Sequence, residues 1–191
     1  MIGLYGIADC GFGPIEPQAD LLLLGGVCAL QLRCKTASIS EVEAIAKDLW
    51  PKCQRAGIPL ILNDHVLPHC SDGVHLGQQD GGFPDAPRPP GFLLGRSTHN
   101  LEQVLKAIRE GADYVGFGPV FPTGTKRNAG PTVGLQALEK ATQLGIPIVA
   151  IGGIQQADIS ALKAHGCVSW TAISAIWDSP NPTEAIRDFS A

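Results

Sequence analysis

The sequence has little of what marks a secreted, membrane-spanning or nucleic-acid-binding protein. Only 17% of its 191 residues are charged and 6% are aromatic. The formal net charge is −4, which excludes a general electrostatic attraction to nucleic acid or to an anionic membrane surface. The longest apolar runs are far shorter than the roughly 20 residues that cross a bilayer. No charged segment precedes an apolar stretch at the N-terminus, so we expect no signal peptide and a cytoplasmic location.

The six cysteines also lack the spacing of a metal site or of a redox motif. They occupy positions 10, 28, 34, 53, 70 and 167, and no pair forms a C-x-x-C motif. Disulfide frameworks are typical of small secreted domains, whereas buried thiols are common in cytosolic proteins. We therefore expect these cysteines to be reduced and mostly buried.

What the sequence does have is enough apolar material for a core. With 45% hydrophobic residues, a chain of this length can bury a core without cross-links, and we expect one domain covering residues 1–191. Apolar runs bounded by glycine, proline or polar residues predict eight strands. These strands are expected at residues 2–8, 27–32, 59–62, 73–76, 92–95, 113–118, 147–151 and 168–173.

Helical spacing of apolar residues predicts helices after most of the strands. The predicted helices cover residues 16–24, 41–56, 101–110, 134–144, 157–164 and 183–189. Ser38 or Ser40 can cap the second helix, and Pro51 is expected to kink or interrupt it. Residues 65–71 offer about one helical turn, and the proline-rich stretch 81–90 is expected to be a loop.

Alternating strands and helices without a linker predict an α/β fold, a single (βα)₈ TIM barrel. The chain is short for this fold, so its helices are expected to be short or missing. The alternative is an open doubly wound sheet, in which two of the eight segments would be misread as strands.

In such a barrel, the residues that follow each strand meet at one face. Each polar residue there has an ordinary alternative, such as a solvated edge, a turn or a helix cap. Their coincidence at one end of the barrel favours a ligand site. The polar residues in question are Gln31, Arg33, Lys35, Asn63, Asp64, Asp80, Ser97, His99, Thr123, Thr125, Lys126 and Ser174.

These residues suggest two anion sites. Gly152 and Gly153, with the backbone at Ile173 and Ser174, match the phosphate site that such barrels build after their seventh and eighth strands. The second site combines three cations with two carboxylates, which would repel a bare anion. The two carboxylates fit Mg²⁺, an ion that shares its coordination with phosphate oxygens. The second ligand is therefore expected to be a pyrophosphate with Mg²⁺, and the chemistry to be displacement of pyrophosphate.

The same residues lie in motifs that resemble those of the thiamine-phosphate synthase family. The resemblance runs from Leu4 to Ile176, nearly the whole chain, and the motifs follow one another in the family's order. They are Gly25-Gly-Val-x-x-x-Gln-Leu-Arg-x-Lys35, Asn63-Asp64, Val74-His-Leu-Gly-Gln-x-Asp80, Ser97-Thr-His-Asn100, Tyr114-Val-Gly-Phe-Gly-Pro-Val-Phe-Pro-Thr-x-Thr-Lys126 and Val149-Ala-Ile-Gly-Gly-Ile154.

The resemblance implies a transferase that joins hydroxymethylpyrimidine pyrophosphate to thiazole phosphate and releases pyrophosphate. It implies that Asp64 and Asp80 hold Mg²⁺ and that Gln31 helps to seat the pyrimidine. The residues implied for the pyrophosphate are Arg33, Lys35, Asn63, Ser97 and Lys126. Those implied for the thiazole phosphate are Thr123, Thr125, Gly153, Ile173 and Ser174. The family mechanism is dissociative: pyrophosphate leaves, and the thiazole nitrogen traps the resulting pyrimidine methylene cation.

The sequence departs from the family pattern at three places, of which the first is its abbreviated first helix. Cys34 stands where the family usually has an acid, and the segment after Asp80 is rich in proline instead of helical.

The closest alternative function is that of the related thiazole tautomerases, which use a histidine at a position like His99. Arg33, Lys35 and the two aspartates favour a synthase, because a tautomerase has no need of them.

A third alternative is a non-catalytic relative that binds thiamine precursors. The intact pair of expected metal ligands argues against it. Binding partners are expected to be these small molecules, without nucleic acid or membrane, and the sequence leaves a homo-oligomer open.

Overall fold

The computed structural model describes residues 1–83, 87–125 and 130–191. Eight parallel strands, each hydrogen-bonded to the next, form a closed barrel in which β8 returns to pair with β1. The strands are β1 Gly3–Asp9, β2 Ala29–Arg33, β3 Leu60–Asn63, β4 Gly73–Leu76, β5 Leu93–Thr98, β6 Tyr114–Phe117, β7 Ile148–Ile151 and β8 Ser169–Thr171. The barrel prediction is confirmed, and the open doubly wound sheet is excluded.

Seven helices surround the barrel in the described part of the chain. They are α1 Ile15–Leu24, α2 Ile39–Ala56, α3 Leu101–Arg109, α4 Gly134–Thr142, α5 Ile159–Ala164, α6 Ser174–Trp177 and α7 Pro182–Ser190. The six predicted helices are present, with ends that shift by a few residues. The short helix α6 was not predicted, because its four residues are too few to show a helical period.

In two inter-strand segments the described residues contain no helix. The β3–β4 connection has a turn at Leu67–Cys70 and no helix, so the expected helical turn there is a single hydrogen bond from Cys70 to the Leu67 carbonyl. The described residues between β4 and β5 contain no helix either, as predicted from their prolines. The outer layer is therefore thin on this side of the barrel.

Strand alternation separates the barrel interior from the helix-facing layer. Interior side chains such as Tyr5, Ile61 and Tyr114 form one buried cluster. The outward-facing residues pack with the helices into a larger cluster. Glycine at position 95 is required by close packing, because a Cβ there would overlap the ring of Tyr114 and lie 2.6 Å from His75 Nδ1. Small residues thus leave room for the large polar rings inside the barrel.

Of the two outcomes expected at Pro51, a kink or an interruption of α2, the interruption is wrong. The helix runs unbroken from a Ser38 capping box to Gly57, which closes it in the left-handed conformation. Its buried residues lie on both sides of the proline, at Val42 and Cys53 among others. Packing of this continuous apolar face against the barrel outweighs the hydrogen bond that Pro51 cannot donate.

The expectation that all six cysteines are reduced is also wrong for one pair. Cys10 and Cys34 form a disulfide, with their Cα atoms 5.1 Å apart. Each follows a strand end, and the β1–β2 register places Asp9 opposite Arg33, so strand pairing brings together cysteines that are far apart in sequence. The other four are free thiols, three of them buried. Burial raises the pKa of Cys53 to about 11, which keeps that thiol protonated at neutral pH.

No helix in the described ranges is both long and apolar enough to cross a membrane.

The outer helix α2 is tied to the base of the barrel by the carboxylate of Asp72. Its Oδ1 accepts hydrogen bonds from Trp50 Nε1 at 3.0 Å and from Gln54 Nε2 at 2.7 Å. Its Oδ2 accepts one from the backbone N–H of Leu60 at 2.9 Å. One side chain therefore joins α2, β3 and the start of β4.

We predict that Asp72→Ala lowers the free energy of unfolding by about 3 kcal/mol, because it leaves two partly buried donors, Trp50 Nε1 and the Leu60 N–H, without an acceptor and removes the exposed bond to Gln54. Urea unfolding followed by circular dichroism measures the change. Asp48→Ala on the exposed face of α2 is the matched control, and it should stay within about 0.5 kcal/mol of wild type. An equal effect of both substitutions would contradict the role given to Asp72.

Candidate active site

One cavity of about 500 Å³ opens at the carboxyl ends of the barrel strands. Within the described residues it collects nearly all the side chains and backbone groups that the sequence placed at this face. The predicted site residues that line it are Gln31, Arg33, Lys35, Asn63, Asp64, Ser97, Thr123, Thr125, Gly153, Ile173 and Ser174. Asp80 is not part of the cavity wall, although its neighbour Gly77 is. Lys126 lies outside the described residues.

Arg33 is held at the mouth by a buried carboxylate. Its Nη1 donates to Oδ2 of Asp9, whose side chain is only 5% exposed, while the Arg33 side chain is 28% exposed. Asp9 is itself fixed, since its Oδ1 accepts from the Gly11 N–H and its backbone bonds to the Gln18 amide. The guanidinium is thus pre-oriented and keeps donors free for a ligand in the cavity.

Lys35, Asp64 and Asp80 form a second charged group. Lys35 Nζ lies 2.5 Å from Asp64 Oδ2, and the Asp64 and Asp80 carboxyls are near enough for each to shift the pKa of the other. Burial and the contact with Asp80 raise the pKa of Asp64, against the opposing effect of Lys35. For Asp80, burial acts upward, but the bonds from Asp64 and the Gly77 N–H, with the charges of Lys35 and Arg96, bring its pKa below the usual value.

The backbone at Asp64 is unusual. Its φ is 68°, and it is the one non-glycine residue in the left-handed region among the described residues. A hydrogen bond from its N–H to the His75 carbonyl, 3.0 Å long, holds it there. Side chains in this region carry strain, and such positions concentrate at functional sites. In this conformation the Asp64 carboxylate lies beside Lys35.

A chain of polar side chains crosses the floor of the cavity. Gln31 Nε2 donates to Tyr5 Oη at 3.1 Å, and Tyr5 Oη lies 2.9 Å from Tyr114 Oη. His75 continues the chain, with Nδ1 3.2 Å from Tyr114 Oη and Nε2 2.9 Å from Ser97 Oγ. Burial raises the pKa of both tyrosines well above the ordinary value, so both remain neutral hydrogen-bonding groups.

Three hydroxyls gather at the other side of the mouth. Thr125 Oγ1 lies 2.9 Å from Ser174 Oγ at the start of α6, and Thr123 Oγ1 accepts from the Thr125 N–H at 3.3 Å. Gly153 belongs to the same wall of the cavity. The loops after β6, β7 and β8 therefore meet as predicted from the sequence.

Glycine is needed after β7 because the β6 loop packs against it. Gly152 and Gly153 have φ values of 97° and 66°, and the Gly152 carbonyl accepts from the Phe121 N–H at 3.0 Å. A Cβ on Gly153 would lie 2.8 Å from the backbone of Phe121. The close approach seats the Thr123–Thr125 loop over the end of β7.

His99 lines the cavity from the end of β5. Its Nδ1 lies 2.5 Å from the carbonyl oxygen of Gly118, so this nitrogen carries a proton and donates. Its backbone N–H donates to Gln103 Oε1 at 2.7 Å. Both contacts fix the loop after β5 against β6.

The chain matches the family described as thiamine monophosphate synthase over residues 4–176. The chain belongs to this family.

Curated relatives agree over nearly their whole length. A thiamine-phosphate synthase of Methanocella arvoryzae is 39% identical over 98% of this chain and 93% of its own length. One of Chlorobium luteolum is 41% identical over 97% of this chain and 90% of its own. Among solved structures, a thiamine phosphate pyrophosphorylase from Pyrococcus furiosus superposes with a TM-score of 0.84 at 30% identity, covering 98% of this chain and 93% of that one.

Sequence reasoning missed four residues of this synthase-family site. Asp9, Tyr5, His75 and Tyr114 all line the cavity. Asp9 ends β1, so the rule that polar residues at strand ends line the site could also have predicted it. The two tyrosines and His75 lie inside strands, and only strand alternation, which puts them on the same face as Gln31 and Ser97, could have indicated them.

We predict that Gly153→Ala lowers the free energy of unfolding by about 2–3 kcal/mol, because it adds a side chain in the left-handed region and against the Phe121 backbone. Thermal unfolding measures it. Gly124→Ala is the control in the neighbouring loop, since a Cβ there meets no atom within 4 Å. If Gly153→Ala unfolds like wild type, the tight packing of the two loops is not a constraint.

Proposed function

We propose that the protein is a thiamine-phosphate synthase, joining hydroxymethylpyrimidine pyrophosphate to thiazole phosphate with release of pyrophosphate. The observation that carries the proposal is that one cavity is lined by Arg33, Lys35 and Asp64, with Asp80 near Asp64, and separately by a group of hydroxyls. The first suits a pyrophosphate with a metal ion, and the second suits a monophosphate. A reaction between the two substrates needs both at one mouth.

At the pyrophosphate end, we assign Arg33, Lys35, Asn63, Ser97 and Lys126 to the two phosphoryl groups. Arg33 can offer a planar pair of donors, because Asp9 holds it from behind. Lys35 adds a compact charge beside Asp64. Together they stabilise the negative charge that grows on the departing pyrophosphate.

The donor set at Asp64 and Asp80 fits Mg²⁺. Burial and the neighbouring Asp80 raise the pKa of Asp64, so two carboxyls near each other leave their mutual repulsion to be offset. A bound Mg²⁺ would offset it and would neutralise charge on the pyrophosphate oxygens. Two carboxylates leave most of an octahedral shell to phosphate and water, as Mg²⁺ prefers. No cluster of three or more acidic, histidine or cysteine ligands occurs in the described ranges.

At the other end, we assign Thr123, Thr125, Gly153, Ile173 and Ser174 to the thiazole phosphate. The three hydroxyls can donate to phosphate oxygens. The backbone at Gly153 and Ile173 lines the same cavity and can add N–H donors. Gln31, joined to Tyr5 on the floor, is assigned to the pyrimidine that lies between the two phosphate groups.

The chemistry asks the protein for placement and charge neutralisation, without a protein nucleophile. The pyrimidine methylene carbon loses pyrophosphate, and the thiazole nitrogen then supplies the electron pair for the new carbon–nitrogen bond. Alignment of the two rings is the main contribution of the cavity walls. Ile7, Val149 and Ile151 line the cavity and restrict water, which would otherwise trap the methylene cation.

The two rival functions are weaker. A tautomerase would use His99 as an acid–base group, but the charged group around Asp64 would have no purpose there. A non-catalytic binder would not need Asp9, Lys35 and the two aspartates arranged around one another. A cytoplasmic location and a homo-oligomer remain predictions from the sequence.

The test is to mix the purified protein with the pyrimidine pyrophosphate and thiazole phosphate, with Mg²⁺ or with EDTA, and to measure thiamine phosphate. We expect product only with Mg²⁺ and with both substrates. The isomeric thiazole phosphate, incubated alone, is the parallel assay for a tautomerase. A folded protein that makes no thiamine phosphate but converts the isomer would overturn the proposal.

We predict that Asp64→Asn and Asp80→Asn each lower the turnover by at least about 100-fold, because a metal ligand is lost near the leaving group. The fold should be retained, as judged by circular dichroism. Asp20→Asn on α1 is a control, because the Asp20 carboxylate pairs with Lys52 of α2 and neither residue lines the cavity. Near-normal Mg²⁺-dependent turnover in either variant would contradict the metal assignment.

We predict a small effect for Ser174→Ala, a rise of roughly threefold to tenfold in the KM for thiazole phosphate, because one neutral hydrogen bond contributes about 1 kcal/mol. Backbone groups hold most of the phosphate. Steady-state kinetics with varied thiazole phosphate measures the change. The KM for the pyrimidine pyrophosphate is the internal control and should not move; a loss of several orders of magnitude would show that the backbone contributes little.

A further inference from the structure

An arginine fills the outer layer beside β5, where the described residues after β4 contain no helix. Arg96 lies in β5 between Gly95 and Ser97, which face the interior. Strand alternation therefore turns Arg96 outward, toward the described part of the segment between β4 and β5. The side chain is only 5% exposed.

The buried guanidinium has well-defined partners. Arg96 Nη1 donates to the carbonyl oxygens of Gly77 and Gly81, both at 2.8 Å. Its Nη2 lies 3.6 Å from Glu110 Oε2 just beyond α3, and the group stacks over the Phe83 ring at 4.7 Å. A buried charge is costly unless it is paired and hydrogen-bonded. These contacts supply that compensation, with only Nε left without a partner.

Gly77 and Gly81 are the two ends of the loop that contains Asp80. One Arg96 nitrogen joins both carbonyls and so closes the loop across its base. Inside the loop, Asp80 Oδ2 accepts from the Gly77 N–H at 2.6 Å, and the Asp80 N–H donates to the Gly77 carbonyl at 3.3 Å. The Gly77 carbonyl therefore receives hydrogen bonds from Asp80 and from Arg96 together. No helix in the described residues follows the loop to stabilise it.

We propose that Arg96 is a positioning residue for the metal site: in place of a helix, which the described residues after β4 do not contain, it holds the loop so that the Asp80 carboxylate stays near Asp64. The part that concerns the metal rests on the proposed function. The part that concerns the loop does not, because the two carbonyl contacts exist whatever the reaction. Residues that orient a metal ligand from behind typically change metal affinity by about 10–100-fold when they are removed.

The decisive variant is Arg96→Met, which keeps an unbranched apolar stem beside Phe83 and removes both carbonyl contacts. We expect the Mg²⁺ concentration for half-maximal activity to rise about 10-fold or more, while kcat at saturating Mg²⁺ stays within about threefold. Binding of Mn²⁺ to the protein with pyrophosphate, followed by electron paramagnetic resonance, should weaken by the same factor. Hydrogen exchange at residues 77–82 should become faster.

Two further variants are compared with Arg96→Met. Arg96→Lys retains the charge beside Glu110 but has a single ammonium on a flexible stem, so we expect partial retention of Mn²⁺ affinity. If Arg96→Met does not fold, the Mn²⁺ affinity and the hydrogen exchange of Arg96→Lys test the proposal instead. Arg109→Met replaces an exposed arginine at the end of α3 and should leave metal affinity and exchange unchanged.

The outcomes separate the two levels of the proposal. Unchanged exchange at residues 77–82 in Arg96→Met would overturn the role of Arg96 in holding the loop. Faster exchange with unchanged Mn²⁺ affinity would overturn the positioning of Asp80 and leave the proposed reaction intact. Failure of the proposed function shows earlier, as absence of Mg²⁺-dependent product in the wild-type protein, and the exchange experiment then still tests the loop contact.

Discussion

The register between parallel strands at the mouth of the barrel is the constraint on which the site depends. Asp9 pairs with Arg33 across β1 and β2, and Asn63 pairs with His75 across β3 and β4. Partners in a parallel ladder point to the same side, so each pair delivers two functional groups to the cavity. A slip of one residue would turn Arg33 toward the helices and break its contact with Asp9. The closed barrel prevents this, because every strand is held by two neighbours.

Charge compensation at the mouth follows from that register. The chain as a whole is acidic, so its overall field does not attract a phosphorylated ligand. The cavity instead gathers cations locally and prepares each one with a carboxylate: Arg33 with Asp9, and Lys35 with Asp64. These pairs keep the cations ordered before a ligand arrives, which reduces the reorganisation that binding requires. Asp64 also lies near Asp80, which contributes with burial to raising the pKa of Asp64.

The side of the barrel around β4 and β5 shows how a shortened fold preserves this arrangement. A helix normally covers a strand and steadies the loop that leads into it. Here the described residues after β4 contain no helix, and a buried guanidinium with Phe83 and Glu110 fills the layer. At β1 and β2, the Cys10–Cys34 disulfide joins the two loops that flank the Asp9–Arg33 pair. Both devices lie directly beside charged residues of the cavity.

The sequence by itself determined the eight strands and the polar residues after them, since strand alternation and turn residues are local signals. It also indicated the family, through motifs that carry Arg33, Asp64 and Thr125. It did not reveal that Asp9 orients Arg33, that Cys10 meets Cys34, or that Arg96 closes the loop of Asp80. The interruption expected at Pro51 does not occur for the same reason, because packing on the barrel outweighs a local helix-breaking residue. Only the tertiary structure decided these points, since each depends on which segments become neighbours when the barrel closes.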